Sequence, residues 1–412
     1  MFINKKSENK KLKNSILALS AEAVAAKKKD RSVINATTGM LKNEDGSLYE
    51  FDCVNKAVQS LSSYQKYGYC NTAGTPSFKQ AVYRSLFGNF LETILDNSFL
   101  ECIPTPGGTG ALSLSFSHYV EPDETILLPN HMWENYLSMA AEAGINSDTY
   151  QLFDENDNFD IANVNEKVNS LKEKQKRLTI LINDPCENPT GFCMKDEDYD
   201  HLIDIARNNP NNDFVFIVDV AYFDFYNTNP DIIRSRFAKF KNIPNNAIAL
   251  FIFSGSKSFG LYGLRIGALV ILSKDTKEVE TFASAMNYSS RSLWSSSSTL
   301  GLNIIDKLIS NEEYRVDYEE EVKFVCAMLE KRSYAFLNAS KEVGLKTLPY
   351  KKGFFICVPC LNPEKIMNAL HQDKVYLVCT KSCLRIALCA ISKEEAAILP
   401  AIIKNRMALE GE

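Results

Sequence analysis

A chain of 412 residues, 45% hydrophobic and 24% charged, is long enough for two domains and a large core. Its net charge of −5 lacks the basic surplus of a nucleic-acid-binding protein, so no nucleic acid is expected as a partner. No apolar stretch reaches membrane-spanning length, and Glu22 interrupts the short apolar run near the start, which makes a poor secretory signal. The expected location is cytoplasmic, with no membrane partner.

Eleven cysteines, an odd number without regular spacing, read as buried free thiols of a reducing compartment. Cys357 and Cys360 have redox or metal spacing, but no second pair completes a zinc site, and the four histidines (His118, His131, His201, His371) are dispersed. No metal centre is expected.

In chain order, the lysine-rich runs at 5–13 and 172–177 read as solvated faces, and residues 16–23 as a short amphipathic helix. A glycine loop then opens a helix over 111–119. Strands are predicted at 125–128, 178–182, 214–218, 249–253 and 267–272, with helices at 133–143, 196–207 and 276–288 among them. The strands are short and apolar throughout, as strands covered on both faces are. This alternation predicts an α/β domain over 45–313. A long charged helix over 312–339 follows, then a mixed pattern with apolar segments at 353–358, 363–371, 375–378 and 384–388. A smaller α+β domain is expected over 314–412, with residues 1–44 packing with it or reaching a partner subunit as an arm.

The chemistry centres on the run Ser254-Gly255-Ser256-Lys257, with Arg265 eight residues beyond the lysine. An amine that attacks an aldehyde must lose its proton, and a semi-buried, positively charged setting favours that. Hydroxyls and a guanidinium gathered beside it make a phosphate site. The aldehyde that carries a phosphate is pyridoxal 5'-phosphate. Its ring nitrogen must stay protonated, which calls for a carboxylate at a strand end, and Asp219 closes the apolar run 214–218. Tyr222 and Asn188 are candidates to bond the ring's 3-oxygen, although Asn188-Pro189-Thr190-Gly191 is also good turn chemistry. Gly107-Gly108-Thr109 would present backbone N–H groups to the phosphate at a helix start, and Trp133 would stack on the ring.

These residues, in this order, resemble the aspartate and aromatic amino-acid aminotransferases, class I enzymes on the pyridoxal-phosphate-dependent transferase fold type I. The resemblance runs from about residue 34 to 385. It implies a large three-layer α/β/α domain with a mostly parallel sheet and a smaller α+β domain. It also implies ping-pong exchange of an amino group between an L-amino acid and a 2-oxo acid such as 2-oxoglutarate. By the same resemblance, Lys257 is the internal aldimine lysine and later the proton carrier, and Asp219 pairs with the pyridinium. Asn188 and Tyr222 bond the 3-oxygen. Gly108, Thr109, Ser254, Ser256 and Arg265 hold the phosphate, and Trp133 stacks on the ring. Tyr69 reaches the phosphate of a neighbouring subunit, which implies a homodimer with shared active sites. Gly39 lies in the loop over the substrate, and Arg385 clamps the α-carboxylate.

Arg291 stands where dicarboxylate-using relatives place the arginine for the distal carboxylate, so aspartate or glutamate is one reading and an aromatic amino acid the other. The run 184–187 and Tyr136, where a histidine behind the pyridinium–carboxylate pair is common, depart from the aspartate-specific pattern. A carbon–sulfur lyase acting by β-elimination shares the fold and cofactor. A non-catalytic sensor would need a DNA-binding module ahead of the match, for which about 30 residues are too few.

Overall fold

The computed structural model describes residues 2, 3, 5–8, 10 and 16–412. Part of the lysine-rich run 5–13 lies outside them. The chain divides into two compact units. The large one comprises 49–330 and 349–354, the small one 1–48, 331–348 and 355–412. The division at 330/331 falls inside the helix Glu312–Glu342, whereas the boundary expected from the sequence is at 313/314.

The strands, in chain order, are β1 (Ile34–Asn35), β2 (Phe99–Thr105), β3 (Thr125–Pro129), β4 (Asn146–Tyr150), β5 (Arg177–Asn183), β6 (Asp213–Asp219), β7 (Ala247–Ser254), β8 (Gly267–Ser273), β9 (Phe355–Pro359), β10 (Val375–Tyr376), β11 (Val378–Cys379) and β12 (Cys383–Ala387). In the large unit, seven of them form one sheet in the order β2-β8-β7-β6-β5-β3-β4. Only β8 runs against the rest, since it pairs antiparallel with both β2 and β7. All five strands expected from the sequence are present in it.

The two that were not foreseen, β2 and β4, are its edges. β2 carries Glu101 and Pro104, and β4 reads Asn-Ser-Asp-Thr-Tyr. Polar residues and proline are tolerated where one side of a strand needs no ladder partner, so the apolar signal is absent there.

Alternation along the central strands explains why helices cover both faces. Val215 and Ile217 of β6, Leu250 and Ile252 of β7, and Leu269 and Ile271 of β8 join a core with Leu112, Phe116 and Phe282 from the helices Gly107–Tyr119 and Thr276–Leu293. The alternate residues face a second core rich in aromatics. Phe251 meets Phe87, Phe237 and Phe240, and Phe253 meets Phe223 and Phe259. With strand residues of both parities buried, the sheet is the middle of three layers.

In the small unit, β9, β11 and β12 form an antiparallel sheet, and β1 pairs parallel with β10. The apolar segment 375–378 forms two short strands. The chain changes partner at Leu377, which is fully buried.

Candidate active site

The carboxyl ends of β5, β6 and β7 lie side by side, because Asn183 pairs with Asp219 and Asp219 with Ile252 in the parallel register. Open α/β sheets bind ligands at such ends. Asp219 is 5% exposed. Its Oδ2 accepts a hydrogen bond from the Tyr136 hydroxyl at 2.7 Å, and its Oδ1 accepts one from the Ala221 N–H at 3.1 Å. Burial pushes the carboxyl up to about 6, against the lowering effects of those two hydrogen bonds and of the Lys257 charge.

Asn183 was not singled out from the sequence, yet it ties two site segments together. Its Nδ2 donates to the Asp219 carbonyl at 2.9 Å, and its Oδ1 accepts from the Asn188 N–H at 2.9 Å. The turn carrying Asn188 is braced from below by Glu187, whose Oε2 accepts from the Thr190 N–H at 2.8 Å and from its hydroxyl at 2.5 Å. Asp184, one residue past β5, is buried and accepts from the Tyr199 hydroxyl and from the Met194 N–H at 2.6 Å. Burial pushes its carboxyl up to about 7. A carboxylate-and-amide layer thus underlies the turn. The longer of these pairings, such as Asn183 with Asp219, join residues distant in the chain and leave no local sequence signal.

Lys257 lies in a single helical turn, Gly255–Ser258, directly after β7. Its Nζ is 5.6 Å from the Tyr222 ring centroid and 5.2 Å from that of Tyr262. Tyr222 is held edge-on by Phe354 at 5.2 Å. The phosphate candidates converge on the helix Gly107–Tyr119, which begins four residues earlier than expected and so takes the glycines into its first turn. The N–H groups of that turn have no carbonyl partner within the helix.

Arg265 Nη1 donates to Ser256 Oγ at 3.1 Å. A side chain added at Gly107 would meet Arg265 Nη2 at 2.7 Å, and one at Gly108 would stand 3.7 Å from Ser254 Oγ. Gly267 makes the assembly possible, since a Cβ there would lie 2.6 Å from the Gly107 carbonyl carbon. Thr109 is exposed in the same turn. Trp133, half-buried, meets Tyr136 edge-on at 5.6 Å.

Two further candidates of the large unit sit apart from this layer. Tyr69 is 88% exposed, and Arg291 lies exposed near the end of the helix Thr276–Leu293, donating to Ser295 Oγ at 2.7 Å. Their segments touch each other. Thr72 Oγ1 donates to the Ser295 carbonyl at 3.0 Å, and Cys70 Sγ to that of Ser297 at 3.3 Å.

In the small unit, Arg385 is no surface residue. It is 5% exposed in the middle of β12, with Nη2 donating to the Thr37 carbonyl at 2.7 Å and its guanidinium 4.5 Å from the Phe355 ring centroid. That carbonyl belongs to the loop leading to the half-buried Gly39, in which Asn35 Oδ1 accepts from the Thr37 hydroxyl at 2.6 Å.

Known proteins share this fold. An aminotransferase of Anaerococcus prevotii superposes with a TM-score of 0.93 at 27% identity, covering 99% of each chain. An aromatic-amino-acid aminotransferase of Burkholderia pseudomallei, solved covalently bound to pyridoxal phosphate, shares the fold with a TM-score of 0.81 at 20% identity, covering 98% of this chain and 100% of that one. The aspartate aminotransferase of Pseudomonas aeruginosa is 28% identical over 294 residues, 70% of this chain and 71% of its own. The architecture is the fold type I of these transferases. Residues 31–403 match the family model for aminotransferase class I and II, and with most of the chain so covered, it belongs to that family.

Proposed function

We propose that this aminotransferase exchanges an amino group between an L-amino acid and a 2-oxo acid, using pyridoxal 5'-phosphate held at the ends of β6 and β7. The observation that carries this reading is the convergence, in one unit, of Lys257, the buried Asp219 and the glycine turn beside Arg265. Each fits a different part of the cofactor. A buried carboxyl raised by desolvation suits a cationic ring nitrogen, which would hold it ionised. The side-chain-free turn at Gly107 and Gly108, with Ser254, Ser256 and Arg265 around it, suits a phosphate. When bound, the protonated pyridine ring supplies a sink for the electrons released at the substrate α-carbon.

The protein's own groups do the rest. Lys257 holds the cofactor through its amine and, once free, carries the proton at the α-carbon. Asp219 keeps the ring nitrogen protonated, and Asn188 and Tyr222 bond its 3-oxygen. Trp133 covers one ring face, while Gly108, Thr109, Ser254, Ser256 and Arg265 keep the phosphate in place. Arg385 grips the α-carboxylate with its planar fork, beside the loop that leads to Gly39.

Tyr69 and Arg291 act on the site of a second copy, in a cytoplasmic homodimer. Their segments touch, and around them Tyr67, Tyr288 and Leu293 are 83%, 76% and 66% exposed, an apolar surface suited to burial against a partner. Arg291 would select aspartate or glutamate through the distal carboxylate. Relatives with aspartate and with aromatic amino acids in their names are compatible with either preference.

Purified protein supplied with pyridoxal phosphate is expected to absorb in the near-visible, and Lys257→Ala to abolish transamination. An unchanged rate in that variant would overturn the assignment. A panel of amino donors and 2-oxo-acid acceptors then fixes the substrate pair.

A further inference from the structure

We infer that Tyr136 is the positioning residue for Asp219, holding its carboxylate in place and ionised through one neutral hydrogen bond. This rests on the reading of Asp219 as the partner of a cationic ring. The phenol comes from the helix Asn135–Ala143, 83 residues before the aspartate, and is 1% exposed. Its ring is fixed edge-on against Trp133 and packed among the apolar side chains that line one face of the sheet. At 2.7 Å it is the only side chain among the described residues recorded as a hydrogen-bond donor to Asp219 Oδ2. The other oxygen is taken by the Ala221 N–H.

The charged and titratable groups around the pair are few. Lys257, beyond β7, acts on Asp219, while Glu187 from the turn after β5 and Tyr222 from the segment after β6 act on Tyr136. Burial, and then the Asp219 charge, raise the phenol well above its ordinary range. The donor therefore stays protonated at every pH at which the protein would work. An imidazole in its place, unlike the phenol, can itself take up a charge and carry that change to Asp219. Without any donor, burial would drive Asp219 toward its neutral form, which cannot pair with a pyridinium.

Tyr136→Phe keeps the ring and removes only the hydroxyl. Three measurements apply: thermal unfolding to verify the fold, infrared titration of the buried carboxyl in cofactor-free protein, and the pyridoxal phosphate dissociation constant. The expected result is a carboxyl titrating about one unit higher and cofactor held about tenfold more weakly, as loss of one hydrogen bond to a charged group implies.

Tyr136→His should recover part of that affinity. An unmoved carboxyl titration in Tyr136→Phe, or an unchanged cofactor dissociation constant in that folded variant, would overturn the inference. Failure of the underlying reading looks different, because the parent protein itself would then bind no pyridoxal phosphate and show no near-visible band.

Discussion

At the ends of β5 and β6, Asn183, Asp184, Asn188 and Asp219 are each at most 8% exposed and joined to one another or to buried phenols by hydrogen bonds within the chain. Tyr69 and Arg291, of the same unit, stand in solvent, and among the described residues Arg291 bonds only to a serine four residues away. The buried layer is over-determined. Each polar group taken from water needs a partner, and the partners fix its geometry. The exposed pair is under-determined, because a side chain that water satisfies has no reason to adopt one position until something covers it.

Substitution should expose this contrast. The largest effect is expected for Asp219→Ala, which leaves a bound cationic ring without its counter-charge in a buried place, at a cost of about 3–5 kcal/mol. That corresponds to a loss of roughly a hundred- to a thousandfold or more in kcat/KM for every substrate, measured by steady-state kinetics. A loss confined to one substrate class would contradict the role.

Arg291→Ala should separate substrates instead. Dicarboxylic amino acids should lose about 2–5 kcal/mol of transition-state binding, while phenylalanine and tyrosine lose little. Equal losses for both classes would remove Arg291 from substrate selection.

The next effect concerns pH and stability in protein freed of cofactor. Asp184 has its folded-state carboxyl raised to about 7, above its unfolded value. Its contribution is therefore complete below the unfolded value and is lost as pH rises through the folded one. Between about pH 4 and 7 it should weaken the fold with rising pH by up to about 1.4 kcal/mol per unit. Asp184→Asn should flatten that slope in denaturant titrations at several pH values. Identical slopes would show that Asp184 stays charged throughout.

Smallest is Tyr69→Phe. It is expected to weaken pyridoxal phosphate binding by about 0.5–1.5 kcal/mol, the worth of one hydrogen bond, and only at concentrations where the dimer persists. The same loss in diluted, monomeric protein would place Tyr69 in its own chain's site.

Much of the large unit was legible in advance because its signals are local. A short apolar run marked each of the five expected strands, and Lys257 with its serines sits within a dozen residues of Arg265. The edge strands β2 and β4 escaped because an edge relaxes the demand for apolar side chains on which the reading depends. Asn183 and Glu187 escaped for another reason, since an amide or carboxylate after a strand looks the same whether it braces a turn or faces solvent.

The sequence by itself determined the fold class and the family, and it pointed to the residues proposed for the cofactor, through runs of side-chain type at short range. Only the tertiary structure decided that Tyr136 donates to Asp219 across 83 residues, that Arg385 is buried in mid-strand, and that the segments of Tyr69 and Arg291 touch. Burial and hydrogen-bond pairing are properties of the packed chain. A residue's identity says what it can bond, and the fold supplies what it bonds to.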